Sequence, residues 1–295
     1  MKIHKNERPA TANSAPALVI AILTLTLAAL TACVKDDLYN TPHPNQGAIL
    51  LATDWTRRGQ DVPIPATYTV EAAGSTFVMQ AREAAIPALF APGTITLLAY
   101  NQPDGVSIAG GTATVARDAA SALQRPDPGT LFGGTANAGI MADDTVHVPL
   151  PMRQLFRRVQ FELTVSGGDA ERITGIEARL EGMASSVSIA TGEVTGGDVA
   201  VRIPFVRTAG KLTAEIQVPG TIADIPQRTV VTLTFTDGKR LTTDTDVSEA
   251  FAGFNTDKLT PLRLTGSLYA PVGSETDGAI IRWEDVQGGD VDADM

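Results

Sequence analysis

Hydrophobic and polar residues alternate along much of this chain. From Arg158 to Val165 the apolar positions are Val159, Phe161, Leu163 and Val165, and the polar ones Arg158, Gln160, Glu162 and Thr164. Lys211 to Val218 repeats the pattern with Leu212, Ala214, Ile216 and Val218, as do Val199, Val201, Ile203 and Phe205, and Ile176, Ala178 and Leu180. A period of two places one face on a core and the other in water, so these stretches predict half-buried strands. Val231, Leu233 and Phe235 run into Asp237-Gly238 and then Lys239 to Thr243. A DG pair between two alternating runs predicts a hairpin, with both turn residues at positive φ.

The first half alternates less cleanly. Its predicted strands are Gly47–Asp54, Thr67–Glu71, Thr94–Asn101, Ser107–Val115 and Thr145–Leu150, with turns at Pro103-Asp104-Gly105 and Gly110-Gly111. Helical spacing is scarce. Val78 to Phe90 predicts a short helix disrupted by Pro87, and Val247, Ala250, Phe251 and Phe254 follow helical spacing after Asp246 as N-cap, with Gly253 near the end. Many short strands, frequent turns and little helix predict an all-β chain of β-sandwiches with one or two short helices. No fixed-period repeat is visible. Pro149-Leu150-Pro151 marks a boundary between weak and clean alternation. This gives an amino-terminal sandwich over 47–151, a carboxy-terminal sandwich over 152–287 and an acidic tail over 288–295.

The first 46 residues are set apart from that pattern. Lys2, Lys5 and Arg8 precede an uncharged run from Ala17 to Ala32, shorter than the ~20 residues a membrane span needs. The run ends at Leu30-Thr31-Ala32-Cys33, and Cys33 is the chain's one cysteine. This resembles a bacterial lipobox, which makes 1–32 a lipoprotein signal peptide. The chemistry requires a thiol there, because Cys33 would carry a diacylglycerol as a thioether. Lys35, Asp36 and Asp37 follow at once and resemble the surface-export signal of Bacteroidota lipoproteins. Residues 33–46, polar with two prolines, read as a lipidated tether.

Composition narrows the function. The 295 residues carry 23 basic and 33 acidic side chains, a net charge of −10, which argues against nucleic acid as a partner. One cysteine rules out a disulfide framework, and three histidines leave little for a metal site. His43 lies between prolines in the tether, and His147 falls on a polar strand face. No GxSxG, P-loop, HExxH or GxGxxG pattern occurs. Asp290, Asp292 and Asp294 lack the glycine and glutamate of a calcium loop. Trp55 and Trp283 have no aromatic neighbours in sequence and read as core or strand-edge residues rather than sugar platforms. Arg57-Arg58, after the first strand, is a candidate cleavage site for a trypsin-like protease. A hydrolase finds no nucleophile–base set, so the chain reads as a non-enzyme.

Several stretches together resemble a known family. CVKDDLYNTPHPNQGAILLATDW from Cys33, PGTITLLAYNQPDGVSIAGGTATV from Pro92, PMRQLFRRVQFEL from Pro151, LEGMASSVSIATG from Leu180 and IIRWEDV from Ile280 look like the FimB-type fimbrial anchor lipoproteins of Bacteroidales. The resemblance implies two transthyretin-like β-sandwich domains in a protein at the cell-proximal base of a fimbria. It implies a lipid-anchored protein, exposed on the outer membrane, that holds the shaft and limits its length. Its partners would be a fimbrial stalk subunit, joined by donor-strand exchange, and outer-membrane lipid, reached through its acyl chains. No cofactor is implied beyond the covalent lipid on Cys33. Stalk relatives lose their lipid and first strand to an arginine-specific protease, which gives Arg57 and Arg58 their interest. The competing reading is a glycan-binding surface lipoprotein of a polysaccharide uptake system, which needs exposed aromatic residues.

Overall fold

The computed structural model describes residues 45–80, 82–119, 123–166, 170–208, 210–269 and 281–285. These residues form eighteen strands and two short 3-10 helices. The described residues are all-β apart from these two turns of helix, as the alternation predicts.

Seven strands of the amino-terminal half form one sheet. They are β1 (Gly47–Arg57), β2 (Tyr68–Ala72), β3 (Ser75–Met79), β4 (Glu83–Phe90), β5 (Gly93–Tyr100), β8 (Phe132–Ile140) and β9 (Thr145–Gln154), in the order β3-β2-β5-β8-β9-β1-β4. The sheet wraps around Ile49, Leu51, Leu97, Phe132, Leu150 and Met152, all fully buried. Trp55 sits in the same core, its ring edge-on to Phe132 at 5.4 Å and to Tyr68 at 5.8 Å. Burying a side chain of that size contributes about 2–3 kcal/mol.

The carboxy-terminal half packs two sheets face to face. One holds β13 (Val206–Thr208), β14 (Lys211–Val218), β10 (Arg157–Ser166), β17 (Leu262–Tyr269) and β18 (Ile281–Asp285), in that order. The other holds β16 (Arg240–Asp246), β15 (Arg228–Phe235) and β11 (Ile173–Ser188), with β12 (Val194–Arg202) also paired to β11. Val159, Phe161 and Leu163 of β10 meet Leu180, Val231 and Leu233 of the opposite sheet in one core. These are the inward positions of the alternating runs.

β11 continues beyond this sandwich. Its last residues, Ser186 to Ser188, pair with β7 (Thr112–Val115), which forms a hairpin with β6 (Val106–Ala109) from the first half. A third core of Tyr100, Val106, Leu131, Leu155, Phe156, Val187 and Ile189 fills that junction. Residues of both halves thus share one sheet and one core.

Four local expectations change. Val78 to Phe90 is not a helix: β3 ends at Met79, and β4 begins at Glu83. The alanine-rich run has helical propensity, but pairing with β1 overrides it, and an edge position tolerates Pro87. Ser107–Val115 is a hairpin rather than one strand, and it turns at Gly110-Gly111 as those glycines predict, both at positive φ, 55° and 73°. The hairpin at Asp237-Gly238 forms, but only Gly238 has positive φ, and the loop is wider, closed by the Gly238 N–H on Phe235 O. The segment after Asp246 is a single 3-10 turn, Ser248–Phe251, whose Ser248 N–H donates to Asp246 Oδ1 at 2.9 Å. Pro149 and Pro151 lie inside β9.

Candidate functional site

The first strand lies in the interior of its sheet, between β9 and β4. It runs parallel to β9 from Ala48↔Thr145 to Asp54↔Pro151, and antiparallel to β4. The Ala48 N–H donates to Asp144 O at 2.9 Å on one side, and the Thr53 N–H to Arg82 O at 2.7 Å on the other. Since successive amides along a strand point to opposite neighbours, even-numbered amides of β1 face β9 and odd-numbered ones face β4. Removing β1 would uncover two strand edges and the cavity left by Ile49, Leu51 and Trp55.

Arg57 and Arg58 close this strand. Arg57 is exposed and stands opposite Arg153 on β9. Burial first, and then the Arg57 charge, lowers the Arg153 pKa; the Arg153 guanidinium donates to the carbonyl of Ala190. The Arg58 guanidinium donates back to Val62 O at 2.7 Å, and the Gly59 N–H donates to Gln154 Oε1 at 2.9 Å in a buried site. The dipeptide is therefore part of an ordered turn.

Gln154 links this turn to the second half. Its Nε2 donates to Phe156 O at 2.8 Å and to Lys258 O at 2.9 Å. Lys258 and Arg157 both lie over the Phe254 ring, with Lys258 Nζ 5.4 Å and Arg157 Cζ 4.7 Å from its centre. Lys258 Nζ donates to Pro219 O at 2.7 Å, and Arg157 Nε to Thr260 O at 2.7 Å. Burial, and next the Arg157 charge, pushes the Lys258 amine down to about 8. Each cation is held by a backbone carbonyl and an aromatic face, a structural arrangement. Nothing in the sequence pattern marks Gln154 or Lys258, because their partners are backbone groups brought together by folding.

A groove of about 750 Å³ lies on the outer face of the β13-β14-β10-β17-β18 sheet. Gln160, Glu162, Thr213, Glu215, Arg263 and Thr265 line it, with Pro204 and Val206. Arg263 Nε donates to Gln160 Oε1 at 3.1 Å, and Gln160 Nε2 to Glu215 Oε2 at 2.9 Å, so its polar groups already satisfy one another. Edge strands β3 and β13 carry the exposed Val78 and Val206.

His147 is exposed on β9, and among the described residues no group of three His, Cys, Asp or Glu could hold a metal. Trp55 is 5% exposed. Trp283 packs edge-on against Phe161 at 5.7 Å. Neither ring forms an open platform. Cys33, Lys35, Asp36, Asp37, His43, Asp290, Asp292 and Asp294 lie outside the described residues. Among those described, no helix is long and apolar enough to cross a membrane.

The fold has solved counterparts. A protein described as an adhesin from Bacteroides ovatus matches with a TM-score of 0.57 at 13% identity, over 83% of this chain and 95% of that one. The fimbrial anchor protein Mfa2 from Porphyromonas gingivalis matches with a TM-score of 0.53 at 19% identity, over 75% and 90%. A protein from Bacteroides thetaiotaomicron described as polysaccharide-binding matches at 0.50 and 12% identity, over 82% and 98%. At such identities the likeness concerns the fold. No curated protein sequence gives a significant match. The family model of the fimbrillin-A associated anchor proteins Mfa1 and Mfa2 matches residues 66–271, more than two thirds of the chain. With a fold of the same kind on an anchor protein, and that match along the sequence, the chain belongs to the fimbrillin-A associated anchor protein family.

Proposed function

We propose that this protein anchors a fimbrial shaft to the outer face of the outer membrane, as a non-catalytic lipoprotein. Membership of the anchor family is the observation that carries this reading. Cys33 carries the lipid, and two or more acyl chains make the attachment stable. Lys35, Asp36 and Asp37 direct the protein to the surface. Residues 33–46 form the tether, and the two halves act as sandwich domains that meet the shaft by β-strand addition. In that mode backbone pairing supplies affinity and alternate side chains supply register. In this reading the protein keeps its first strand; the support is that β1 is paired on both sides and fills its own core, so that the amino-terminal sheet needs no donor there. A part in limiting fimbrial length follows from a subunit that ends the shaft without offering that groove.

The test is made on cells of the native host. Wild-type cells are expected to keep their shafts, with the protein copurifying. Cys33→Ala cells, and cells with Lys35, Asp36 and Asp37 changed to Ala, are expected to shed shafts into the medium. Shafts still held by Cys33→Ala cells would overturn the lipid anchor. A surface-exposed protein that never copurifies with a shaft would favour glycan binding instead. The buried Trp55 and the covered Trp283 weigh against that alternative.

A further inference from the structure

Among the described residues only two pairs of strands are parallel, β1 with β9 and β10 with β17. Both occupy the same place in the chain's path. β1 opens the amino-terminal half and β9 closes it; β10 then opens the carboxy-terminal half, and β17 is its last strand before β18. Only Leu155 and Phe156, both buried, separate β9 from β10. A pull on the chain at Gly47 loads the start of β1. The reaction reaches β9 at its far end, through Phe156. Forces at opposite ends of a parallel pair make the strands slide, so every bond of the ladder resists together. Forces at the same end separate the bonds one after another.

The β1–β9 ladder is continuous for seven pairs, Ala48↔Thr145 to Asp54↔Pro151, and continues to Arg57↔Arg153. Its integrity despite two prolines has a geometric cause. With Ala48 donating to Asp144 O, the β9 amides that face β1 are those of Val146, Val148, Leu150 and Met152. Pro149 and Pro151 fall on the other side, towards β8, where the ladder is limited to Phe132↔Gln154 and Gly133↔Arg153. The missing amides thus weaken the neighbour that does not lie on the path. The second ladder is continuous for eight pairs, Val159↔Leu262 to Ser166↔Tyr269.

We propose that these two ladders are force-bearing clamps in series, which hold tension along the chain from the amino-terminal tether to the end of β17. The proposal rests on the reading of the amino terminus as the attached end, with the shaft pulling on the carboxy-terminal half. The clamp gives the anchor a function beyond attachment: resistance to unfolding while the shaft is pulled.

The test is single-molecule pulling on the chain from Cys33 to Met295, with the Cys33 thiol as one handle. In Tyr269→Cys the second handle is at the end of β17, and both ladders are sheared. In Met141→Cys it lies beside Gly47, at the starting end of the β1–β9 pair, and that ladder unzips; both replaced side chains are exposed. At equal loading rate the sheared geometry is expected to break at about twice the force or more, since forced unfolding reads the unfolding rate. Equal forces, or a weaker sheared geometry, would overturn the clamp. Ala52→Pro, which removes an amide facing β9, is expected to lower the sheared force more than Thr53→Pro, which removes one facing β4; the reverse order would also count against it. If either proline variant fails to fold, the comparison of the two geometries still decides. Shaft retention by Cys33→Ala cells would refute the tether alone, and equal forces the clamp alone.

Discussion

Lys258 keeps its ammonium group where little water reaches it. Burial first, and then the Arg157 guanidinium, hold its pKa at about 8 against 10.5 in an unfolded chain. Below pH 8 both states carry the proton, and the cost of the buried charge is present in full. Between about 8 and 10.5 the unfolded chain holds a proton that the folded chain has released. The free energy of unfolding therefore rises with pH in that window, by up to about 3 kcal/mol from this group. In Lys258→Met that contribution disappears. Urea denaturation from pH 7.5 to 10 should show a flatter stability profile for the variant than for wild type. Parallel profiles would mean that the amine is solvated after all. Gln154 belongs to the same scale: one buried amide serves Gly59, Phe156 and Lys258, groups far apart in the chain.

At the scale of elements, β11 has to serve two successive neighbours within one sheet. Up to Glu181 it pairs with β15, and from Ser186 with β7. Gly182 lies between, at φ 80°, where a Cβ would stand 2.5 Å from Pro226 O. Its N–H donates to the Asp198 carboxylate at 3.2 Å, and the register with β12 shifts across it. A bulge of this kind turns the strand towards new partners. Gly182→Ala adds a clash with backbone and an unfavourable φ, and should destabilise the protein by about 2–3 kcal/mol. Thermal denaturation measures it; a melting temperature equal to wild type would show that β11 can straighten without loss. β4 teaches the complementary lesson. Its sequence favours a helix locally, but the hydrogen-bonding edge of β1 decides.

For the whole molecule, the ordering of the arginine turn works against a protease that needs an extended substrate. Arg57 continues the β1–β9 ladder, Arg58 is tied to Val62, and Gly59 to Gln154. An arginine-specific protease acting on the folded chain should leave β1 attached, whereas the denatured chain should be cut after Arg57 and Arg58. Mass spectrometry of the fragments distinguishes the two. A folded product starting at Arg58 or Gly59 would place this chain with shaft subunits that give up their first strand, and not with anchors that keep it.

Alternation alone was enough to locate most strands, including Arg158–Val165 and Lys211–Val218, because burial on one face imposes a period of two whatever the topology. Trp55 and Trp283 were likewise legible as core or edge residues. Pairing was not legible. No local signal shows that β1 lies parallel to β9, or that β7 joins β11, since these contacts join residues distant in sequence. The two prolines of β9 suggested a break, and only the direction of their missing amides explains why the strand continues. The protein's sequence thus determined which residues face inward, a property each segment carries by itself. Tertiary structure decided which strands meet, because a strand's hydrogen-bonding edge has the same backbone groups everywhere, and only packing of the whole chain selects its neighbour.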